Sequence, residues 1–236
     1  MAESSLLRAV VKVTGYLFDI RTQESMGEVG ALSDLVEKYT QERGFSFHLV
    51  TGGGPLAREY IEVARRLGAD ENLLDQIGIA FTRINARLLL SSLGEVAYPL
   101  PLRTLDEVVR AFSQGKVTVS GGLYPGISTN AVSALTAEAL RADLLVTLSR
   151  SGAVFDKDPA EHESAKPLPK VTPREIREIL GTQRERAGEY PLLDVLSLNV
   201  ISRSRIPTVI TSPRVENLEK ALNGQETGTR VVFEDK

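Results

Sequence analysis

Apolar residues come in short runs along this chain, and most of the runs end in glycine, serine or threonine. Residues 6–14 are valine-rich and stop at Gly15, residues 45–50 run into Gly52-Gly53-Gly54, residues 116–120 stop at Gly121-Gly122, and residues 143–148 give way to Ser149. Runs of this length, rich in β-branched residues and bounded by turn formers, predict buried strands. Shorter strands are expected over 96–100, 207–211 and 228–233. Between the runs, apolar positions recur every three or four residues. That spacing predicts helices over 32–43, 55–67, 71–93, 105–112, 131–140 and 191–204, and one from Ser212 or Pro213 to Leu222. Start and stop signals agree: Pro55 suits a first turn, Asp70 and either Thr129 or Asn130 suit N-caps, Thr172-Pro173-Arg174-Glu175 reads as a capping box, and Gly44 and Gly68 follow helix ends. Strands alternating with helices predict an α/β protein. It should be a three-layer αβα sandwich around an open, mostly parallel sheet of about eight strands, and residues 1–236 allow either one large domain or two poorly separated lobes, since no linker decides between them.

Composition narrows the function. Apolar residues at 42% and charged residues at 25% leave ample core, and a net charge of −3 provides no global basic field for nucleic acid. With no cysteine there is no thiolate chemistry or disulfide framework. The two histidines, His48 and His162, have no companions at ligand spacing, so a zinc site is not expected and His48 reads as a strand residue. No apolar run approaches a membrane span, and Met1-Ala2-Glu3-Ser4-Ser5 lacks a signal-peptide layout, so a soluble cytoplasmic protein without a membrane partner is expected.

The chemistry gathers where strands end. In Leu49-Val50-Thr51-Gly52-Gly53-Gly54-Pro55-Leu56-Ala57-Arg58, three residues without Cβ let an anion approach main-chain N–H groups at a helix N-terminus. Arg58, one turn in, can grip a phosphate; a flexible turn with a solvated arginine is an equal alternative on these residues alone. The Walker pattern is absent. The loop over 149–169 is too long for a mere connection and marks a functional segment. These residues lead to an α/β protein that binds phosphorylated small molecules along the strand C-terminal edge.

Taken together the segments resemble the amino acid kinase superfamily, and more narrowly archaeal-type uridylate kinases. The likeness rests on Lys12-Val13-Thr14-Gly15, on Gly52-Gly53-Gly54 with Ala57-Arg58, and on Asp75-Gln76-Ile77-Gly78 with Thr82-Arg83-Ile84-Asn85. It extends through Gly121-Gly122 with Pro125-Gly126 and Ser128-Thr129, Phe155-Asp156-Lys157-Asp158-Pro159, and Ala187-Gly188-Glu189-Tyr190 with Leu193-Asp194. The resemblance implies phosphorylation of UMP to UDP by Mg²⁺-ATP through direct phosphoryl transfer. It makes Lys12 and Asp194 catalytic, with Asp194 serving the metal directly or through a water. It gives Gly53, Gly54, Arg58, Asp75, Pro125, Gly126, Ser128 and Thr129 to UMP, and Lys12, Gly15, Ser149, Phe155, Asp158, Pro159 and Gly188 to ATP. It further implies an acceptor-binding lobe over about 1–140, an ATP-binding lobe over about 141–236, and a homo-oligomer, a hexamer built as a trimer of dimers. Each residue has a plainer alternative: Phe155 as core, Asp75 pairing with Arg83, Asp194 capping a helix.

The chain also departs from the pattern. Where the family commonly reads Thr-Asn-Val-Asp-Gly-Val-Tyr, this chain has Leu148-Ser149-Arg150-Ser151-Gly152-Ala153-Val154-Phe155, losing a carboxylate and gaining Arg150. Tyr16, Asn130 and Asn199 also stand at positions often filled otherwise. A nucleotide-binding or storage paralogue without turnover, or a kinase for another small phosphorylated acceptor, are the alternative readings.

Overall fold

The computed structural model describes residues 7–157, 159, 162–180 and 193–234. Seven strands form one sheet: β1 (Leu7–Val13), β2 (Phe45–Thr51), β3 (Thr118–Ser120), β4 (Leu144–Leu148), β7 (Lys170–Val171), β8 (Thr208–Thr211) and β9 (Thr229–Val231), while β5 (Val154–Phe155) and β6 (Pro167–Leu168) make a separate hairpin. The order across the sheet is β3-β2-β1-β4-β8-β9-β7, parallel throughout except between β8 and β9. The helices are α1 (Gln23–Arg43), α2 (Gly54–Arg66), α3 (Glu71–Leu93), α4 (Leu105–Phe112), α5 (Thr129–Ala139), α6 (Pro173–Leu180), α7 (Val195–Arg203) and α8 (Val215–Leu222).

Side-chain alternation along the strands builds the three layers. Ala9, Val11 and Val13 of β1 and Phe47 and Leu49 of β2 pack with α1, α3 and α8 into one core. Val10 and Val50 point to the other face and join residues of α4, α5, α6 and α7 in a second core. Lys12 has the parity of Val10, so it emerges on the α5 side at the last turn of β1, where that core gives way to an open cavity. The chain runs outward from β1 to β2 and β3 and then returns to β4 on the other side of β1. That reversal opens a crevice at the strand C-terminal ends, where ligands of open α/β sheets bind.

Several boundaries differ from those the sequence suggests. Helix α1 starts at Gln23 rather than at 32, running through Gly27 and Gly30. Its first turns are held by Val29 in the core and by Glu24 and Glu28, both paired with Arg214. The strand expected over 96–100 is reduced to two isolated bridges, Ala97 to Val117 and Leu102 to Ser120. Pro99 and Pro101 have no N–H to donate, so no ladder can continue there. The cap of α5 is Ser128, whose Oγ accepts from Ala131 N at 3.0 Å, rather than Thr129 or Asn130. Of the helix expected over 191–204, the described part begins at Val195. His48 is the buried strand residue expected, bonded to Thr118 Oγ1 at 2.9 Å and Ser120 Oγ at 3.0 Å, and burial lowers its pKa to about 3, keeping it neutral.

Candidate active site

A cavity of about 440 Å³ opens over the C-terminal ends of β1, β2, β3 and β4. Its floor is two glycine turns packed backbone to backbone. A Cβ on Gly15 would lie 2.1 Å from Gly54 N, and a Cβ on Gly54, at φ +77°, would lie 2.2 Å from Gly15 O. Close approach of the two loops to each other therefore demands both glycines. Gly52 N donates to Val13 O at 2.9 Å, continuing the β1–β2 ladder into the turn.

Helix α3 clamps this floor from the side with polar residues on an otherwise apolar element. Asn85 Nδ2 donates to Gly52 O at 2.7 Å and Gly53 O at 3.1 Å, and Thr51 Oγ1 donates to Thr82 O at 2.8 Å. Thr82 Oγ1 accepts from Gly122 N at 2.7 Å, fixing the loop that leaves β3. Further along that loop, Gly126 N donates to Asp75 Oδ2 at 2.6 Å. One helix thus sets the spacing between the glycine turn after β2 and the loop after β3. Asn85 and Thr82 are positioning residues whose role only these contacts expose.

The cavity is electropositive in a chain of net charge −3. The N-termini of α2 and α5 end at its wall, each presenting orphan N–H groups and the positive end of a helix dipole. Lys12, Arg58 and Arg150 line it, with Asp75 the single carboxylate of the lining among the described residues. Lys12 opens toward the cavity but is otherwise ringed by protein, and desolvation together with the charge of Arg58 lowers its pKa from 10.5 to about 8. Tyr16 lies between the two arginines. Arg58 donates from Nη1 to Tyr16 Oη at 2.5 Å, and the guanidinium carbons of Arg58 and Arg150 stand 5.2 Å and 4.4 Å from the Tyr16 ring centroid. A phosphate entering here meets arginines held on an aromatic ring that can exchange that contact for a bidentate one.

Of the residues singled out from the sequence, Lys12, Gly15, Gly53, Gly54, Arg58, Asp75, Ser128, Thr129 and Ser149 line this cavity together. Pro125 and Gly126 lie in the loop beside it, with Gly126 tied to Asp75. Phe155 lies in the β5–β6 hairpin opposite Pro167, away from the lining, and Pro159 is exposed. Asp158 and Gly188 lie outside the described residues. Asp194 is buried and stands behind the wall. Its Oδ1 accepts from Ser197 N at 2.7 Å in a capping box, and its Oδ2 accepts from Ser128 Oγ, so it joins the N-termini of α7 and α5. The capping alternative is thus the one its contacts display. Ile61, Ile79, Thr82, Tyr124 and Ile127 also line the cavity, and the sequence assigned none of them a role of its own.

The profile of the amino acid kinase family matches residues 7–212. A uridylate kinase of Metallosphaera sedula is 41% identical over 227 residues, covering 95% of this chain and 99% of that one. A uridylate kinase of Methanobrevibacter smithii is 44% identical over 185 residues, 78% of this chain and 82% of that one. The crystal structure of the Archaeoglobus fulgidus uridylate kinase superposes with a TM-score of 0.83 at 32% identity, covering 96% of this chain and all (100%) of that one. The UMP kinase of Ureaplasma parvum, at 18% identity and a TM-score of 0.77, shares the fold.

Proposed function

This chain belongs to the amino acid kinase family, and from that we propose that it transfers the γ-phosphoryl group of ATP to UMP, giving UDP. The observation that carries the reading is the lining of the cavity, where Lys12, Arg58 and Arg150 and two helix N-termini surround a space of nucleotide size, with Asp75 as its acceptor group. A carboxylate suits the ribose diol, and the cations suit the phosphates.

The chemistry asks little of the protein beyond placement. The attacking atom is an oxygen of the UMP phosphate, already anionic, so no general base has to remove a proton from it. Among the described residues the lining holds no histidine, and His48 sits neutral inside the sheet. What the reaction needs is cationic charge where the transferring phosphoryl group spreads its own over three oxygens. Lys12 at the end of β1 suits that role: phosphates on either side would hold the proton that burial and Arg58 make more costly. Gly53, Gly54 and Arg58 then take the UMP phosphate, Asp75 its ribose, and the loop carrying Pro125, Gly126, Ser128 and Thr129 the base side. Gly15, Ser149 and Arg150 serve ATP, for which Phe155, Asp158, Pro159 and Gly188 are also proposed. The lobes divide at about residue 140 on this reading.

Mg²⁺ would accompany ATP, shielding charge on the donor phosphates. The described residues hold no group of three metal-ligating side chains, and both oxygens of Asp194 are engaged. That donor set fits an ion held by phosphate oxygens and water rather than by a protein cage, as Mg²⁺ commonly is. Asp194 acts as a positioning residue, through Ser128, on the α5 end of the site. Among the described residues no helix is long and apolar enough to cross a membrane, in line with a cytoplasmic enzyme. Exposed Tyr60 and Val63 on α2, Leu67 at its C-terminal end, and Ile84 and Leu88 on α3 are apolar side chains that support a homo-oligomer, for which we propose the hexamer. The test is direct: incubation with Mg²⁺-ATP and each nucleoside monophosphate in turn should yield UDP from UMP. Calorimetric binding of both nucleotides with no UDP formed over hours would overturn the reading and leave a nucleotide-binding protein.

A further inference from the structure

Three strand ends bring a tyrosine and two arginines together over the glycine floor. Tyr16 follows β1 in a short 3₁₀ helix, Gly15–Phe18, Arg58 lies on α2 after β2, and Arg150 follows β4. The guanidinium carbons of Arg58 and Arg150 stand 5.2 Å and 4.4 Å from the Tyr16 ring centroid, and all three residues line the cavity. We propose that Arg150 is a further catalytic residue of the phosphoryl transfer, stabilising the transferring group, and that Tyr16 is the positioning residue that holds it beside Arg58. The inference rests on the reading of this cavity as the site of UMP phosphorylation.

Backbone contacts fix where Arg150 and Tyr16 stand. Ser149 N donates to Thr211 O at 2.8 Å, continuing the pairing of β4 with β8, and Gly152 N donates to Ser149 O at 3.1 Å, closing a tight turn with Arg150 and Ser151 at its tip. Ser151 Oγ donates to Ala153 O at 3.0 Å and anchors the far side of that turn. Tyr16 is set by its predecessor, since Gly15 packs backbone to backbone against Gly54. The holder is also chemically unusual for this chain. Elsewhere arginines sit against carboxylates, as in Arg21 with Asp19 and Glu59, Arg203 with Glu138, and Arg214 with Glu24 and Glu28. Among the described residues Arg150 forms no ion pair, and an aromatic ring takes the place of the carboxylate. A carboxylate would neutralise the guanidinium and compete with a phosphate for its N–H groups. A ring orients the cation and leaves its charge and its donors available.

The sheet order decides what each cation meets. With β1 between β2 and β4, Arg58 reaches the cavity from one side of Lys12 and Arg150 from the other. In the transfer an oxygen of the UMP phosphate forms a bond to the γ-phosphorus of ATP while the bond from that phosphorus to the bridging oxygen breaks and leaves with ADP. The guanidinium groups exchange no proton, and charge spreads over the oxygens of the group in passage. Donor and acceptor phosphates touch at that group, so the cations serving them have to converge there, as Arg58 and Arg150 converge on Tyr16. Arg58 takes the acceptor phosphate, and Arg150, coming from the β4 side, takes the transferring group. A charge-assisted, bidentate contact with phosphate is stronger than the stack on the ring, so the ring presents the arginine without retaining it.

The experiment measures UDP formation from UMP and Mg²⁺-ATP by the wild type and by variants whose fold is checked by circular dichroism. Arg150 is exposed, so replacing it leaves both cores intact. Arg150→Gln should lower kcat by about 100-fold with the KM for UMP nearly unchanged, because the contact strengthens in the transition state. Tyr16→Leu should lower kcat by roughly tenfold in the wild-type background through misplacement of the arginine, and Tyr16→Phe, which keeps the ring, should retain most of it. In the Arg150→Gln background Tyr16→Leu should leave kcat unchanged, a non-additivity that a merely structural tyrosine would not produce. UDP formation by the wild type with kcat undiminished in Arg150→Gln, or equal losses from Tyr16→Leu in the two backgrounds, overturns this inference and leaves the kinase reading standing. No UDP from the wild type overturns both.

Discussion

Substituting Gly15 by alanine tests whether contact between the two glycine turns is what shapes the site. The added methyl would lie 2.1 Å from Gly54 N, 2.6 Å from Gly54 Cα and 2.8 Å from the Gly52 carbonyl carbon. All three are backbone atoms, so no side chain can swing aside. The nearest is about 1.3 Å short of the 3.4 Å at which ordinary contact begins. The opposing turn is itself anchored, by Gly52 N to Val13 O and by Asn85 to the carbonyls of Gly52 and Gly53. The strain has to be taken up by parting β1 from the glycine turn. Overpacking of this kind costs about 1–3 kcal/mol. A misplacement of roughly 1 Å between Lys12 and the acceptor phosphate should cost about 100-fold in turnover. Urea denaturation should show a lower midpoint with an unchanged slope, and UDP formation should fall by that order with native circular dichroism retained. Gly30→Ala is the control. Nothing lies within 4 Å of the methyl it adds to α1, so stability should rise by about 0.5–1 kcal/mol with turnover unchanged. A Gly15→Ala protein with wild-type stability and turnover would refute the reasoning.

Three further outcomes follow from other contacts. Lys12 has its pKa lowered to about 8, and bound phosphates should raise it, so nucleotide binding near pH 9 should take up close to one proton and weaken as pH rises above 8; calorimetry in buffers of different ionisation enthalpy should show this uptake, and Lys12→Met should remove it along with most turnover. His48 has a folded pKa of about 3 against 6.5 when free, so its contribution to stability is complete above pH 6.5 and is lost as pH falls toward 3, by at most about 1.4 kcal/mol per pH unit. His48→Gln should flatten that part of the denaturation midpoint profile, and an unaltered profile would exclude His48 as its source. Asp194→Ala should cost about 0.5–2 kcal/mol through loss of the α7 cap, whereas Asp194→Asn, which keeps an acceptor, should cost less and retain much of the activity; loss of turnover in Asp194→Asn at unchanged stability would instead make it a metal residue.

The departure around 149–152 is better probed at Ser151 than at Gly152. Gly152 has φ +70°, and a Cβ there would lie 3.3 Å from Ser212 Cβ, so a side chain at that position is strained whatever its charge.

The sequence by itself determined the architecture, because that is written in local terms. Short apolar runs ending in glycine and segments with apolar positions every three or four residues and caps specify strand, turn and helix without reference to distant residues, and their alternation specifies a mostly parallel sheet with ligands at its C-terminal edge. The glycine run and Arg58 were legible from their residue types, whereas Lys12 and Asp75 were marked by the resemblance to the family. Contacts distant in sequence were decided by tertiary structure alone. Gly15 meets Gly54, and Asn85 reaches back 33 residues in sequence to Gly52, so the reason for those residues appears only when β1, β2 and α3 are packed. Asp194 illustrates the limit most clearly. That it caps α7 through Ser197 and ties in α5 through Ser128 shows only in the packed structure, while its service to a metal is left to the Asp194→Asn experiment.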